Sequence, residues 1–132
     1  MKFNKLTMKS ITLIVVICIL TLSQSCHKKP VNPTYCTLEY RTISIEVIGD
    51  TLDDFYTIRQ NTGDTIRLSN NYNIGNSYPI LVDNYQPQIE NKTETFQFYG
   101  LIHDSIVIHE PFVIKADQCH IEYVSGNLQV TL

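Results

Sequence analysis

Tryptophan is absent from this 132-residue chain, and glycine occurs only five times. The sequence has no glycine-rich phosphate loop and no Gly-x-Ser-x-Gly nucleophile elbow, so two common classes of enzyme site are not predicted. No window has the apolar period of an amphipathic helix, which argues against an α-helical fold. The sequence also lacks internal repeats and low-complexity segments, which excludes a repeat array.

Basic residues are scarce beyond the first ten positions. Lys2, Lys5 and Lys9 are three of the ten Lys and Arg, which leaves seven against all 13 Asp and Glu and a formal charge of −6 for residues 26–132. Domains that bind nucleic acid present a basic patch or stripe. We therefore expect no nucleic-acid partner.

Residues 1–25 have the pattern of an export signal. The lysines form a positive start, and the apolar run from Ile11 to Leu22 is roughly twelve residues long, as in a signal peptide. A helix that spans a bilayer needs about 20 apolar residues. The run ends in Leu22-Ser23-Gln24-Ser25-Cys26. This ending resembles the lipobox of bacterial lipoproteins, in the relaxed form typical of Bacteroidetes, and the resemblance implies that Cys26 is lipidated and becomes the first mature residue. An ordinary secretory signal and an uncleaved membrane anchor are the alternatives.

Residues 26–34 are predicted to be a tether, and residues 35–132 are enough for one small domain. Pro30 and Pro33 disfavour a helix in the tether. Lys28 and Lys29 stand where surface-exported Bacteroidetes lipoproteins carry acidic residues. The resemblance therefore implies a protein held by membrane lipid through Cys26, in the outer membrane and facing the periplasm.

Only two of the four cysteines can form a disulfide in the predicted mature protein. Cys18 lies in the signal and Cys26 takes the lipid, which leaves Cys36 and Cys119. Because exported proteins fold in an oxidising compartment, we expect these two to form a disulfide. Two free buried thiols are the alternative. Cysteines so far apart lack the paired spacing of zinc ligands, so we expect no metal and no other cofactor.

Period-two alternation of apolar residues dominates residues 35–132 and predicts seven to nine short strands. Such strands, separated by turn signals, indicate an antiparallel β-sandwich. We expect a long first strand with a bend at Arg41 and a hairpin around residues 61–64. We also expect an edge strand that contains Pro79, an interruption at Pro111, and a final hairpin that turns at residues 125–127.

The run from Phe112 to Glu122 contains Asp117-Gln118-Cys119-His120 and precedes a closing strand. This ending resembles that of small bacterial lipoproteins with transthyretin-like or carboxypeptidase-regulatory-like sandwiches. The resemblance implies an Ig-like or transthyretin-like sandwich that acts as a binding or accessory module and is not an enzyme.

Four residues with metal-ligating side chains flank one predicted strand: His103, Asp104, His109 and Glu110. The two histidines are six residues apart, roughly 20 Å along an extended strand, so we expect no metal site. His120 is expected to point away from the face that carries Cys119 and Ile121, toward solvent or a groove.

Tyr72, Tyr78 and Tyr85 lie among many Asn and Gln residues between positions 70 and 91. Tyrosines beside amides are typical of recognition loops. We therefore predict that these three tyrosines bind an envelope protein or a glycan. The alternative is a polar loop whose tyrosines cover the end of the sandwich.

Three tripeptides match the Asp-Ser/Thr-aliphatic acceptor motif of Bacteroidetes O-glycosylation, at Thr51, Thr65 and Ser105. All three lie where a turn leads into a predicted strand. The alternative is structural: the Asp caps the turn and the aliphatic residue enters the core.

The sequence thus predicts a lipid-anchored, non-catalytic sandwich that binds a protein or a glycan in the cell envelope. Its alternative is an inhibitor or immunity-type lipoprotein that acts on an envelope enzyme or a toxin.

Overall fold

The computed structural model describes residues 35–69 and 75–132. The predicted signal peptide and tether, Cys26 and Tyr72 lie outside the described residues. Within them the chain forms eight β-strands, a 3-10 turn and a short α-helix. These elements are β1 (Thr42–Ile48), β2 (Asp54–Arg59), β3 (Thr65–Ile66), β4 (Ser77–Val82), the 3-10 turn (Asp83–Tyr85), α1 (Gln86–Ile89), β5 (Thr93–Ile102), β6 (Ser105–Ala116), β7 (Ile121–Ser125) and β8 (Gln129–Thr131).

The strands form two sheets, in the orders β4-β1-β8 and β3-β2-β5-β6-β7. Alternate residues are buried in β1, β2 and β5, as in strands with one face on the core; Phe96 and Phe98 in β5 are both fully buried. The buried residues of the two sheets form one hydrophobic cluster. The Thr57 hydroxyl of β2 donates to the Ile80 carbonyl of β4 across this core, 2.9 Å away. The prediction of an all-β fold of two packed sheets is confirmed.

Two predictions about individual strands are confirmed. β2 and β3 form an antiparallel hairpin around residues 61–64. The strand that contains Pro79, β4, is the outer strand of its sheet, which suits a residue that cannot donate a backbone hydrogen bond.

The last strand does not pair as predicted. β8 runs parallel to β1, with Val130 opposite Val47, so the final antiparallel hairpin is wrong. The conformation of Gly126 explains why the chain passes from one sheet to the other. Its φ is +139°, and a Cβ there would collide with the ring of Phe112. This glycine lets the chain leave β7 in one sheet and enter β8 in the other.

Pro111 does not interrupt a strand, because β6 is continuous from Ser105 to Ala116. β7 pairs only with residues 113–116 of β6. Pro111 therefore lies where β6 has β5 on one side and no further strand among the described residues on the other. A proline is tolerated at such an edge, since no ladder hydrogen bond is lost there.

The first strand is shorter than predicted, because it begins at Thr42. Its neighbour β4 ends at Val82, opposite Thr42, and the chain then turns into the 3-10 helix. Among the described residues no strand continues alongside, so residues 35–41 form an irregular segment outside the sheet, with a bend at Leu38. We call this segment the arm.

One buried ion pair ties β2 to β5. The Arg59 guanidinium donates to both oxygens of Glu94, at 2.6 and 2.8 Å, and the side chains are 11% and 3% exposed. This bidentate contact from Arg59 lowers the pKa of Glu94 against the opposing effect of burial. Such a pair fixes geometry more than it adds stability.

Candidate functional site

Of the three tyrosines predicted to bind a partner, the structure describes Tyr78 and Tyr85, and both pack against the core. Tyr78 is 2% exposed, so its prediction as a binding residue is wrong. Its ring packs edge-on against Phe55, and its hydroxyl accepts a hydrogen bond from the Leu52 N–H at 2.9 Å. Tyr85 packs partly buried against the core. Tyr78 is drawn inward because β4 is buried along almost its whole length.

A different set of aromatic residues lies on the outer face of the five-stranded sheet. Tyr56 of β2 stacks on Tyr99 of β5 with ring centroids 5.0 Å apart. Tyr99 stacks in turn on His109 of β6, at 4.5 Å. The Arg67 guanidinium covers the other side of Tyr56, 5.1 Å from the ring centroid. These four residues form one row across the sheet, which we call the aromatic row.

Strand pairing creates the aromatic row. Tyr56 is directly opposite Tyr99, and Tyr99 is directly opposite His109. Side chains directly opposite each other on neighbouring strands lie about 4.5–5.5 Å apart, which matches the stacking distance of flat rings. The Arg67 side chain is held over Tyr56 by its ion pair with Asp54, at 2.7 Å.

The aromatic row has one open end. Its rings are stacked face to face, and the Arg67 guanidinium covers the face of Tyr56 that Tyr99 leaves open. The far face of His109 points toward the side of β6 that β7 does not reach. Close to it, Ile106 and Val107 are 55% and 39% exposed. Adjacent exposed apolar side chains at the edge of a sheet are typical of an interaction surface.

The predicted glycosylation residues all have exposed positions. Thr51, Thr65 and Ser105 lie on the surface, while the aliphatic residues after the two threonines, Leu52 and Ile66, enter the core. At Thr51 the preceding Asp50 accepts the backbone N–H, at 2.8 Å, as a turn-capping Asp does. Exposure is compatible with modification, and glycosylation stays a prediction.

The opposite end of β6 leads to a cross-linked corner. Cys36 of the arm and Cys119 form a disulfide, with Cα atoms 5.3 Å apart, as the sequence predicts. Cys119 belongs to the short turn between β6 and β7. There the Asp117 carboxylate accepts the N–H groups of Cys119 and His120, at 2.6 and 2.7 Å. These two hydrogen bonds lower the pKa of Asp117.

His120 is buried, at 7% exposure, so of the two expected positions, solvent or a groove, the solvent-facing one is wrong. Its Nδ1 lies 2.8 Å from the Asp83 carboxylate, and its Nε2 lies 2.9 Å from the Thr37 hydroxyl of the arm. The imidazole is drawn inward because the carboxylate at the end of β4 offers it a partner. Sequence alternation alone could not reveal that partner.

Asp83 is the centre of this corner. Besides His120, its carboxylate accepts the N–H of Arg41, at 2.8 Å, and the N–H of Ile121, at 2.9 Å. Burial acts to raise the pKa of Asp83, but these three hydrogen bonds outweigh it, and the pKa lies below the ordinary value. One side chain therefore fixes the residue before β1 and the first residue of β7.

The order hydroxyl, imidazole, carboxylate from Thr37 through His120 to Asp83 is also that of a hydrolase triad. Here the carboxylate holds two backbone N–H groups as well as the ring. Its three hydrogen bonds join chain segments that are 37 to 42 residues apart in sequence. We therefore assign the three residues to a clamp that holds the arm against the sandwich.

A cleft of about 410 Å³ lies beside the arm, lined by residues 39–43 and 121–123. Its charged side chains pair with one another: Arg41 with Glu39 and Glu122, at 3.3 and 3.7 Å, and Glu122 also with Lys115, at 2.8 Å. Exposed pairs of this kind contribute little to stability. The cleft is a weaker candidate site than the aromatic row, since a ligand would have to compete with these pairs.

No group of three or more His, Cys, Asp or Glu that could hold a metal ion occurs among the described residues. His103 lies in the turn between β5 and β6, whereas His109 is stacked in the aromatic row. Over the same residues, no helix is long and apolar enough to cross a membrane.

No protein-family model matches this chain, and no curated protein or solved structure shows significant similarity to it.

Proposed function

We propose that this chain is a lipid-anchored protein of the bacterial cell envelope whose β-sandwich is a non-catalytic binding module for another protein. The aromatic row and the exposed residues beside it carry the binding part of this proposal. The sequence ending in Cys26 carries the anchoring part. By the same resemblance, the protein is held in the outer membrane and faces the periplasm.

The outer face of an antiparallel sheet that packs on one core is usually polar. In this sheet the outer face instead carries Tyr56, Tyr99 and His109 in contact, with Ile106 and Val107 exposed at the end of the row. Aromatic residues and arginine are enriched in protein–protein interfaces. Because these rings are already stacked, they lose little rotamer freedom when a partner binds, which favours binding.

The stacking also favours a protein over a glycan as the partner. A sugar ring packs against the flat face of an aromatic side chain, but both faces of Tyr99 are covered by its neighbours. The row presents ring edges, hydroxyls and a single open imidazole face. A protein surface that offers a side chain to His109 and apolar contacts to Val107 fits this arrangement.

Two further observations support export. The Cys36–Cys119 disulfide joins the arm to the turn before β7, and disulfides are typical of oxidising compartments. The arm begins directly after the predicted tether, so only residues 27–34 separate the proposed anchor from the described domain. For the topology we propose an Ig-like or transthyretin-like sandwich, supported by eight described strands in two sheets.

Mass spectrometry of the mature N-terminus tests the anchoring. We expect a chain that begins at Cys26 and carries acyl groups, and we expect Cys26→Ser to accumulate as an unprocessed or unlipidated form. A mature chain that begins elsewhere, or an intact signal peptide on the wild-type protein, would remove the anchoring part of the proposal.

Site-specific photo-crosslinking in intact cells tests the binding surface. A benzophenone amino acid at Val107 is expected to give a discrete adduct with one protein, and that adduct should be lost when His109→Ala or Tyr99→Ala is added. Ile48 is the matched control, because it is 42% exposed against 39% for Val107 and belongs to β1, in the other sheet. The same adducts from both positions, or none from Val107, would contradict the proposal.

A further inference from the structure

The arm holds two large apolar side chains outward in solvent. Tyr35 is 89% exposed, and Leu38 is fully exposed at 105%. Single exposed apolar residues are common on protein surfaces. These two are different because the arm is fixed at the two residues between them: Cys36 is cross-linked to Cys119, and Thr37 bonds to the buried His120. The chain therefore presents them from a clamped backbone.

The arm lies at one end of the sandwich. The turn that carries Cys119 and His120 follows the last residue of β6, Ala116, while the turn between β5 and β6 lies at the other end of the same strand. Ile106 and Ala116 are ten residues apart in β6, about 33 Å at the rise of a β-strand. Tyr35 and Leu38 thus lie far from the open end of the aromatic row.

The number of residues between Cys26 and the arm limits how far the arm can lie from the membrane. Tyr35 is nine positions after Cys26, a span of at most about 32 Å for a fully extended chain. With a lipid on Cys26, the arm is the part of the described domain nearest to the bilayer along the sequence. Lys28 and Lys29 lie in the same stretch and are attracted to anionic headgroups.

We propose that the arm is a membrane-contact surface and that Tyr35 and Leu38 insert into the interface of the bilayer to which Cys26 is anchored. Tyrosine favours the headgroup level, where its ring is shielded and its hydroxyl stays wet. Leucine adds apolar area to the lipid anchor. This contact orients the sandwich so that the aromatic row points away from the membrane, toward a partner. The inference rests on the proposed lipid anchor.

The absence of tryptophan from the chain permits a direct test with a single reporter. Leu38→Trp is expressed as the full chain, so that it is processed and lipidated, and is reconstituted into vesicles of phosphatidylethanolamine and phosphatidylglycerol with or without brominated acyl chains. We expect roughly twofold lower emission in the brominated vesicles, because an interfacial side chain lies about 5–10 Å into the headgroup–acyl boundary. Tyr35→Trp is a second reporter and should behave in the same way.

Ile106→Trp is the matched control, since Ile106 is exposed at the opposite end of β6. Its emission should be equal in both kinds of vesicle. Equal emission of the two arm reporters with and without bromine, or equal quenching of the arm and control reporters, would overturn the inference.

Mass spectrometry and vesicle flotation of the same samples separate the two proposals. A lipidated protein that floats with the vesicles but is not quenched at either arm reporter overturns the membrane contact and leaves the anchor intact. A protein that carries no lipid overturns both.

Discussion

Removal of the Cys36–Cys119 disulfide is expected to lower the free energy of unfolding by roughly 4.5 kcal/mol, the chain-entropy value for a closed loop of this length. The bonded residues are 83 positions apart, so the cross-link encloses six of the eight described strands and restricts most of the unfolded domain. A small domain has about 5–15 kcal/mol of total stability. The loss would therefore be a large fraction of it.

The measurement is urea unfolding of the mature chain in a Cys26→Ser background, which removes the lipid and the competing thiol. Cys36→Ala with Cys119→Ala is compared with its parent, each with and without a reductant. The reductant should destabilise the parent to the level of the double variant and leave the double variant unchanged. A loss below about 1 kcal/mol would contradict the prediction and indicate an unfolded state that is already compact without the cross-link.

The local patterns of the sequence predict much of the fold. Alternation identifies the buried faces of the strands, as with Phe96 and Phe98, and the processing signal isolates Cys36 and Cys119 as a pair. These predictions hold because each depends on the periodicity of a strand or on a count of thiols. Neither requires knowledge of which strands are neighbours.

The errors concern contacts between distant segments. β8 was expected beside β7, but it pairs with β1, about 80 residues earlier in the chain. Tyr78 and His120 were expected at the surface, and each is buried because a partner in another element accepts or donates a hydrogen bond. The aromatic row was missed for the same reason. Nothing in the sequence links Tyr56, Tyr99 and His109 to one another, and only the register of β2, β5 and β6 brings them into contact.

The clamp of Thr37, His120 and Asp83 is one such contact between distant segments. Asp83→Asn is expected to lower the free energy of unfolding by about 3 kcal/mol at neutral pH. The carboxylate is 10% exposed and accepts from Arg41, Ile121 and His120. An asparagine retains one oxygen and turns an NH₂ group toward these donors. A buried donor left without an acceptor costs about 1–3 kcal/mol. The exposed Asp50, which accepts only the N–H of its neighbour Thr51, provides the control Asp50→Asn, with an expected change within about 0.5 kcal/mol.

The difference between wild type and Asp83→Asn should depend on pH in a defined direction. The folded protein holds the pKa of Asp83 below its ordinary value, so the carboxylate contributes its full stability above the ordinary aspartate pKa of about 3.9. That contribution is lost as the pH falls through the lower pKa of the folded state. Urea unfolding at pH 7 and at pH 3 should therefore show a large gap between the two proteins at pH 7 and a smaller one at pH 3. Glu94 and Asp117 also have lowered pKa values, but they are present in both proteins and cancel in the comparison. A gap that is constant with pH would mean that the ionised form of Asp83 does not hold the clamp, and the arm would then depend on the disulfide alone.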